Sequence, residues 1–266
     1  MVSSQNAADV ARPFARVGYA ARGLIYLVIG VFAVLAAFGN GSKKDTHGAL
    51  QTLLQNTAGS ILAWILIVGL FSYALWRVTQ SLLDTDDHGT GAKALAIRGG
   101  LLASAFTYAA LCIYTFSMWY GSTGSSSGSG GSGVSSFFAS IVGAQVVAWC
   151  LAIVFAGVGI AHFIKAFKSG YAKFFKASPD KMRIIHPLAK TGLIARGIIF
   201  WVIALLFVYR GIDGGQGGGR PGMSAALNFI QGLPFGSILL GLMGIGLVAF
   251  AVYSFAEAIW RRIRFD

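Results

Sequence analysis

The chain has 266 residues, of which 56% are hydrophobic and 11% charged, with a mean hydropathy of +0.69. Soluble domains carry about 25% charged residues, so this composition excludes an ordinary soluble core and points to lipid as the solvent. The net charge of +12 would suggest nucleic acid in a soluble protein. Here the cations flank apolar runs, so they read as membrane-edge charge and no nucleic-acid partner is expected.

A spanning helix needs about 20 mostly apolar residues. Residues 23–42 carry no charge and form the first such run. It has a basic lead-in and Ala36-Ala37 near its end, as a cleaved leader would. The same pattern recurs deep in the chain, so the run is expected to be retained. The second span centres on residues 61–76. No Lys, Arg, Asp or Glu occurs between Arg98 and Lys165, a stretch too long for one helix. The Gly/Ser tract at 121–133 divides it into a third span, about 98–120, and a fourth, about 137–164. A fifth covers about 192–208 and a sixth about 235–259. All five prolines fall outside the span centres, so the broken helices that mark many transporter sites are not expected. Cys112 and Cys150 lie within apolar runs and read as small buried hydrophobes, with no metal spacing and no disulfide framework.

Three segments align without gaps. They are Arg16-Val17-Gly18 with Arg22 and Tyr26, Arg98-Gly99-Gly100 with Ser104 and Tyr108, and Lys190-Thr191-Gly192 with Arg196 and Phe200. The pattern, basic-x-Gly-x3-Arg/Ser-x3-aromatic, opens spans one, three and five. The even spans repeat too: residues 69–76 match 246–253, with a more diverged copy at 154–161. In this register Arg77, His162 and Ser254 are equivalent, as are Gln80, Lys165 and Glu257. Just before the even spans lie three further apolar stripes. Leu50, Leu53 and Leu54 form the first, Phe137, Phe138 and Ile141 the second, and Ala226, Leu227 and Ile230 the third. Each stripe reads equally as a short interfacial helix or as the first turn of the following span.

These residues resemble a bacterial membrane family catalogued as domain-of-unknown-function family 1206. The resemblance rests on the Gly18-Tyr19-Ala20-Ala21-Arg22-Gly23 opening and on Pro234-Phe235-Gly236 with Gly246-Leu247 in the last copy. It runs from about Val17 to Arg262 and is weakest in the middle copy, where Ser104 replaces Arg and residues 152–156 are Gly-poor. It implies three helix pairs and no particular activity.

The expected fold is therefore all-α: a polytopic membrane protein of six transmembrane helices, built as three parallel two-helix repeats with pseudo-threefold symmetry. A tail at 1–15 precedes repeats at 16–84, 95–176 and 189–262. Of the 21 Lys and Arg, only Lys43, Lys44, Arg210 and Arg220 fall on the side opposite the termini. Cations gather in cytoplasmic loops, so both termini are expected to be cytoplasmic, in a bacterial inner (plasma) membrane.

Few residues invite chemistry. Gly18, Arg22 and Tyr26 step by four and share a helical face. Arg16, Arg22, Lys190 and Arg196 are the candidates for holding anionic headgroups, since a guanidinium can grip phosphate through two bonds. The alternatives are snorkelling to the membrane edge or pairing within the protein. Glu257 is the one carboxylate within a span. It is a candidate ion-pair partner, one turn before Arg261, and a weak one for a proton relay. His162 has no histidine partner at span depth, so haem ligation is not expected. No metal-ligand spacing or catalytic constellation is present, and no cofactor or enzymatic activity is expected. The basic, aromatic-rich stretch 165–190 reads as an interfacial amphipathic helix. Small residues Ala144, Ala148, Ala152 and Ala156 on span four read as a packing face. Together these features suggest a non-enzymatic scaffold or accessory subunit that binds lipid or a membrane partner. The alternative is a transporter or channel for a small solute along the pseudo-threefold axis.

Overall fold

A computed structural model describes residues 2–39, 59–85, 89, 91–120, 143–213 and 222–262 of the chain. Within them lie six helices long and apolar enough to cross a membrane: α1 (Val2–Ala37), α2 (Gly59–Leu83), α3 (Ala92–Trp119), α4 (Ala144–Phe167), α5 (Pro179–Ile212) and α6 (Gly236–Trp260). Helices are the expected solution, because lipid offers backbone amides no partner and each span must satisfy its own. A nine-residue helix, Met223–Gln231, precedes α6. Its stripe of Ala226, Leu227 and Ile230 is buried, and residues 232–235 separate it from the span, so in the third repeat the short helix is distinct. The corresponding stripes of the first two repeats lie outside the described residues.

Two helices are longer than the hydropathy alone suggested. At 1.5 Å per residue, α1 with 36 residues and α5 with 34 are each about 50 Å long, against a hydrocarbon core of about 30 Å. The additional turns are at their N-terminal ends, where Pro13 and Pro187 are accommodated within the helices. Both ends lie on the side that carries the two termini, here the basic end.

The stretch 165–190 is not one amphipathic helix. Lys165 belongs to α4, residues 179–190 open α5, and between them runs a strap with a 3-10 turn at Ala172–Phe174. Its Tyr171 and Phe175 are buried. Burial also pushes the Tyr171 hydroxyl pKa up, and that hydroxyl donates to the His186 carbonyl at 3.2 Å. Two backbone bonds stitch the strap to the end of α6: Lys176 N–H to the Trp260 carbonyl and Arg262 N–H to the Phe174 carbonyl, each 2.7 Å. These tertiary bonds satisfy the backbone where a helix would otherwise have to, leaving Lys173 and Lys176 outward.

The three repeats follow one another cyclically. The second helix of each lies against the first helix of the next: α2 on α3, α4 on α5, and α6 back on α1. Equivalent residues make equivalent contacts. Gly23 faces Phe255 across α1/α6, and Gly197 faces Phe163 across α4/α5. Small residues let helix backbones approach in the absence of a hydrophobic drive between helices. At the α1/α6 crossing, Gly30 and Gly244 lie reciprocally against each other's backbone, which ties the last repeat to the first. On α4, Ala148 and Ala152 of the small-residue face are buried and Ala144 is exposed; Gly159, further along the helix, is also buried.

The middle repeat departs from this pattern. In the outer repeats the paired helices pack on each other, α1 on α2 and α5 on α6, whereas α3 and α4 do not pack closely together. Only 11% and 17% of their span windows are buried, against 44–50% for the other four helices. The register supplies a cause. Gly69 packs on Ala21 and Gly246 on Ala195, but their middle counterpart is Val154, whose side chain would hold the helices apart. The bundle therefore has a seam between α3 and α4.

Candidate functional site: a cation cluster at the basic end

Arg22 sits more than five turns into α1, on the face that meets α2 and α6. It is 5% exposed, and each guanidinium nitrogen has a protein partner. Nε donates to Ser254 Oγ at 3.1 Å, Nη1 to the Tyr73 hydroxyl at 2.7 Å, and Nη2 pairs with Glu257 Oε2. Aromatic rings wall the group, with Tyr19, Phe250 and Tyr73 centroids 4.9, 5.0 and 5.4 Å from the guanidinium carbon. Such faces add cation–π attraction where water is excluded.

Glu257 lies in the last turn of α6 and is 2% exposed. Its second oxygen accepts from Arg261 Nη1 at 2.5 Å, so one carboxylate joins two arginines. The Tyr73 hydroxyl also accepts from Arg77 Nη2, and Arg77 Nη1 reaches Gln80 Oε1 at 3.0 Å. Trp76 Nε1 donates to the Tyr19 hydroxyl at 3.1 Å. A buried charge is tolerated when it is paired and its remaining hydrogen-bonding groups are satisfied, and the α1/α2/α6 contact meets that condition around Arg22.

Among the sequence candidates, Arg22 and Glu257 are therefore brought together, which is the internal pairing rather than an outward-facing headgroup contact. Arg16 and Lys190 are exposed on the projecting turns of α1 and α5, apart from this network. Their middle counterpart, Arg98, caps the end of α2 instead: its Nε donates to the Ser81 carbonyl at 2.6 Å and its Nη2 to the Leu82 carbonyl at 3.0 Å.

Arg196 is at the position equivalent to Arg22 but in a different environment. It is half-buried, and its guanidinium carbon lies 4.4, 4.7 and 5.1 Å from the Phe250, Tyr26 and Phe200 centroids. Its buried Nε has no hydrogen-bond partner among the described residues. His162 is nearby, with its ring centroid 5.2 Å from that of Phe200 and within electrostatic reach of Arg196 and Lys165. His162 Nδ1 donates to the Val158 carbonyl at 2.8 Å, which makes Nε2 of the neutral ring an acceptor.

Tyr26 was legible from the motif it shares with Arg22, but Tyr19 and Tyr73 were not identifiable as polar-site residues from the sequence, because an aromatic in an apolar run reads as core. The signal that could have found them is the repeat itself. Tyr73 lies in the copied 69–76 segment, and its equivalent, Phe250, meets Arg196 as Tyr73 meets Arg22.

No group of three or more His, Cys, Asp and Glu among the described residues is placed to hold a metal ion. A family model described as Domain of Unknown Function (DUF1206) matches the chain three times, at residues 17–84, 99–169 and 191–261. A Bacillus subtilis (strain 168) protein, described as uncharacterized protein YxxB, is 28% identical over 259 residues, which is 95% of this chain and 92% of the relative. No solved structure matches. The three matches fall on the three helix pairs and span most of the sequence, so the chain belongs to the DUF1206 family, as a multi-pass membrane protein of three tandem two-helix repeats.

Proposed function

We propose that the protein is a non-enzymatic membrane component that binds anionic lipid at its basic end and serves as a scaffold or accessory subunit for a membrane partner. The observation that carries this reading is the charge balance of the clustered groups. Arg22, Arg77, Lys165 and Arg261 gather near the same end around one carboxylate, Glu257. An excess of cations at a membrane edge attracts anionic headgroups, each basic residue contributing about 1 kcal/mol near the surface. Exposed Arg16, Lys173, Lys176 and Lys190 extend the same field.

What favours this over solute transport is the material at the level of the cluster. Tyr73 and Tyr108 rings meet edge to face at 4.5 Å, and Tyr26 and Phe250 at 5.0 Å. Packed rings suit a binding scaffold better than a water-filled path.

Native mass spectrometry of protein extracted in a mild neutral detergent tests the proposal. Retained anionic phospholipid, and a melting temperature that rises on adding phosphatidylglycerol but not phosphatidylcholine, is the expected outcome. Protein that carries no lipid and responds to neither would overturn it. Orientation has its own test. Cysteines introduced at Ser42 and Asp87 are expected to react with a membrane-impermeant maleimide from opposite faces, position 87 only from the cytoplasm; labelling of both from one face would refute the assigned topology.

A further inference from the structure

The internal repeat allows a half-buried arginine, Arg196, to be compared with a buried one, Arg22, in the same molecule. Around Arg22, the preceding repeat supplies Ser254 and Glu257 on α6, and its own repeat supplies Tyr73 on α2. Applying the same cyclic rule to Arg196 gives His162 and Lys165 on α4, and Phe250 on α6. The carboxylate and the phenol hydroxyl are thereby lost as acceptors. A hydroxyl becomes an imidazole, a carboxylate becomes an ammonium, and a phenol becomes a phenyl ring. The contacts around Arg196 follow the register. Phe250 lies against Arg196 at 4.4 Å, His162 is within its electrostatic reach, and Arg196 Nε has no hydrogen-bond partner among the described residues.

We propose that Arg196, beside His162, binds an oxyanion, a phosphate or carboxylate group supplied from outside the chain, in the place that the Glu257 side chain takes beside Arg22. This deepens the anionic-lipid reading and rests on it only for the charge of the ligand. A guanidinium held among Tyr26, Phe200 and Phe250 is half-buried and has no counter-charge among the described residues. Leaving such a group unpaired is unfavourable, and a charge-assisted bond to an oxyanion relieves it. Lys165, 5.8 Å from the Tyr253 ring centroid, is on the Glu257 side, so Arg196 gains no acceptor at the position that Glu257 holds for Arg22.

The seam between α3 and α4 gives the site an entrance. His162 on α4 and Tyr108 on α3 are both half-buried; the His162 ring lies 5.2 Å from that of Phe200, which Arg196 covers. Phe106 on α3 and Ile153 and Val154 on α4 are exposed. A ligand with an anionic head and apolar chains matches that geometry, with its head at Arg196 and its chains between α3 and α4. A soluble phosphate would use the head site alone.

The test uses the full chain in neutral detergent and three proteins: unmodified, Arg196→Gln, and His162→Glu. The last places a carboxylate inside the site, as Glu257 does beside Arg22, and so competes with an outside anion without removing the arginine. Binding is read by native mass spectrometry and by the melting-temperature rise on adding phosphatidylglycerol, or separately inorganic phosphate. The unmodified protein should bind one phosphatidylglycerol at least about tenfold more tightly than either variant, a loss equal to a single strong charge-assisted bond. His162→Glu should melt no lower than the unmodified protein. A rise with inorganic phosphate equal to that with phosphatidylglycerol would assign the site to a soluble oxyanion, and a rise with lipid alone would assign it to a headgroup. If both variants bind phosphatidylglycerol as well as the unmodified protein, the Arg196 site is wrong while lipid binding stands. If the unmodified protein binds neither probe, both proposals fall. Should Arg196→Gln not fold, His162→Glu alone decides: undiminished binding in it overturns the site.

Discussion

Glu257→Gln is expected to destabilise the protein by about 3–5 kcal/mol, the range for removing one partner of a buried ion pair. Glutamine nearly preserves the shape and keeps one acceptor oxygen, so packing changes little. What is lost is the counter-charge shared by Arg22 and Arg261, which are bound through the two oxygens of one carboxylate. Both guanidinium groups are held near aromatic rings, Arg22 over Tyr19 and Arg261 over Tyr19 and Phe174, where water cannot easily replace the charge. The check is the unfolding midpoint in mild detergent, within a double-mutant cycle. Arg22→Met with Glu257→Leu removes both charges and should cost clearly less than the two single changes added together, because an apolar replacement of a buried pair is often near neutral. A coupling below about 0.5 kcal/mol, the scatter expected of independent sites, would show that the pair does not tie α1 to α6.

The α1/α6 connection also marks where sequence reading reaches its limit. The three repeats and six spans were legible because each is local: a run of apolar residues, a Gly/Ser break, a motif copied at fixed spacing. Glu257 was legible as a partner because it is the one carboxylate in a span and its helix ends on the same side as Arg22 begins. The difference between Arg22 and Arg196 was already written in the register, in which Lys165 and His162 stand where Glu257 and Ser254 do. It could not be read from the register alone, because which helix supplies the partners depends on α6 packing against α1 and α4 against α5. That is a contact between residues more than 200 positions apart in the first case. The strap at 168–178 was misread for a related reason. Alternating basic and aromatic residues suit an interfacial helix, but Tyr171 and Phe175 find a better place against Tyr253, and backbone bonds to the end of α6 replace those of a helix. Nor does composition reveal the seam, since α3 and α4 are as apolar as their neighbours. The signal was a single substitution, Val154 where the other copies have Gly69 and Gly246.

A pair of glycine substitutions separates the tightly packed repeats from the open one. Gly192 and Gly100 hold the same position of the motif, one in α5 and one in α3. A Cβ on Gly192 would stand 2.5 Å from the Phe250 Cα, and on Gly18, the third equivalent, 2.6 Å from the Tyr73 Cβ. Neither neighbour can swing aside, because the obstruction is the backbone or the first side-chain atom, so the helices themselves must separate. Around Gly100 nothing lies within 4 Å. Gly192→Val is therefore expected to lower stability by at least about 2 kcal/mol, within or above the usual range for overpacking. Gly18→Val should do at least as much, since moving Tyr73 also withdraws the hydroxyl that Arg22 and Arg77 share. Gly100→Val should change the unfolding midpoint by less than about 0.5 kcal/mol, as for a surface position. Comparable losses at Gly100 and Gly192 would mean that α3 and α4 pack together as the outer pairs do. The seam, and with it the lateral route to Arg196, would then be closed in the folded protein.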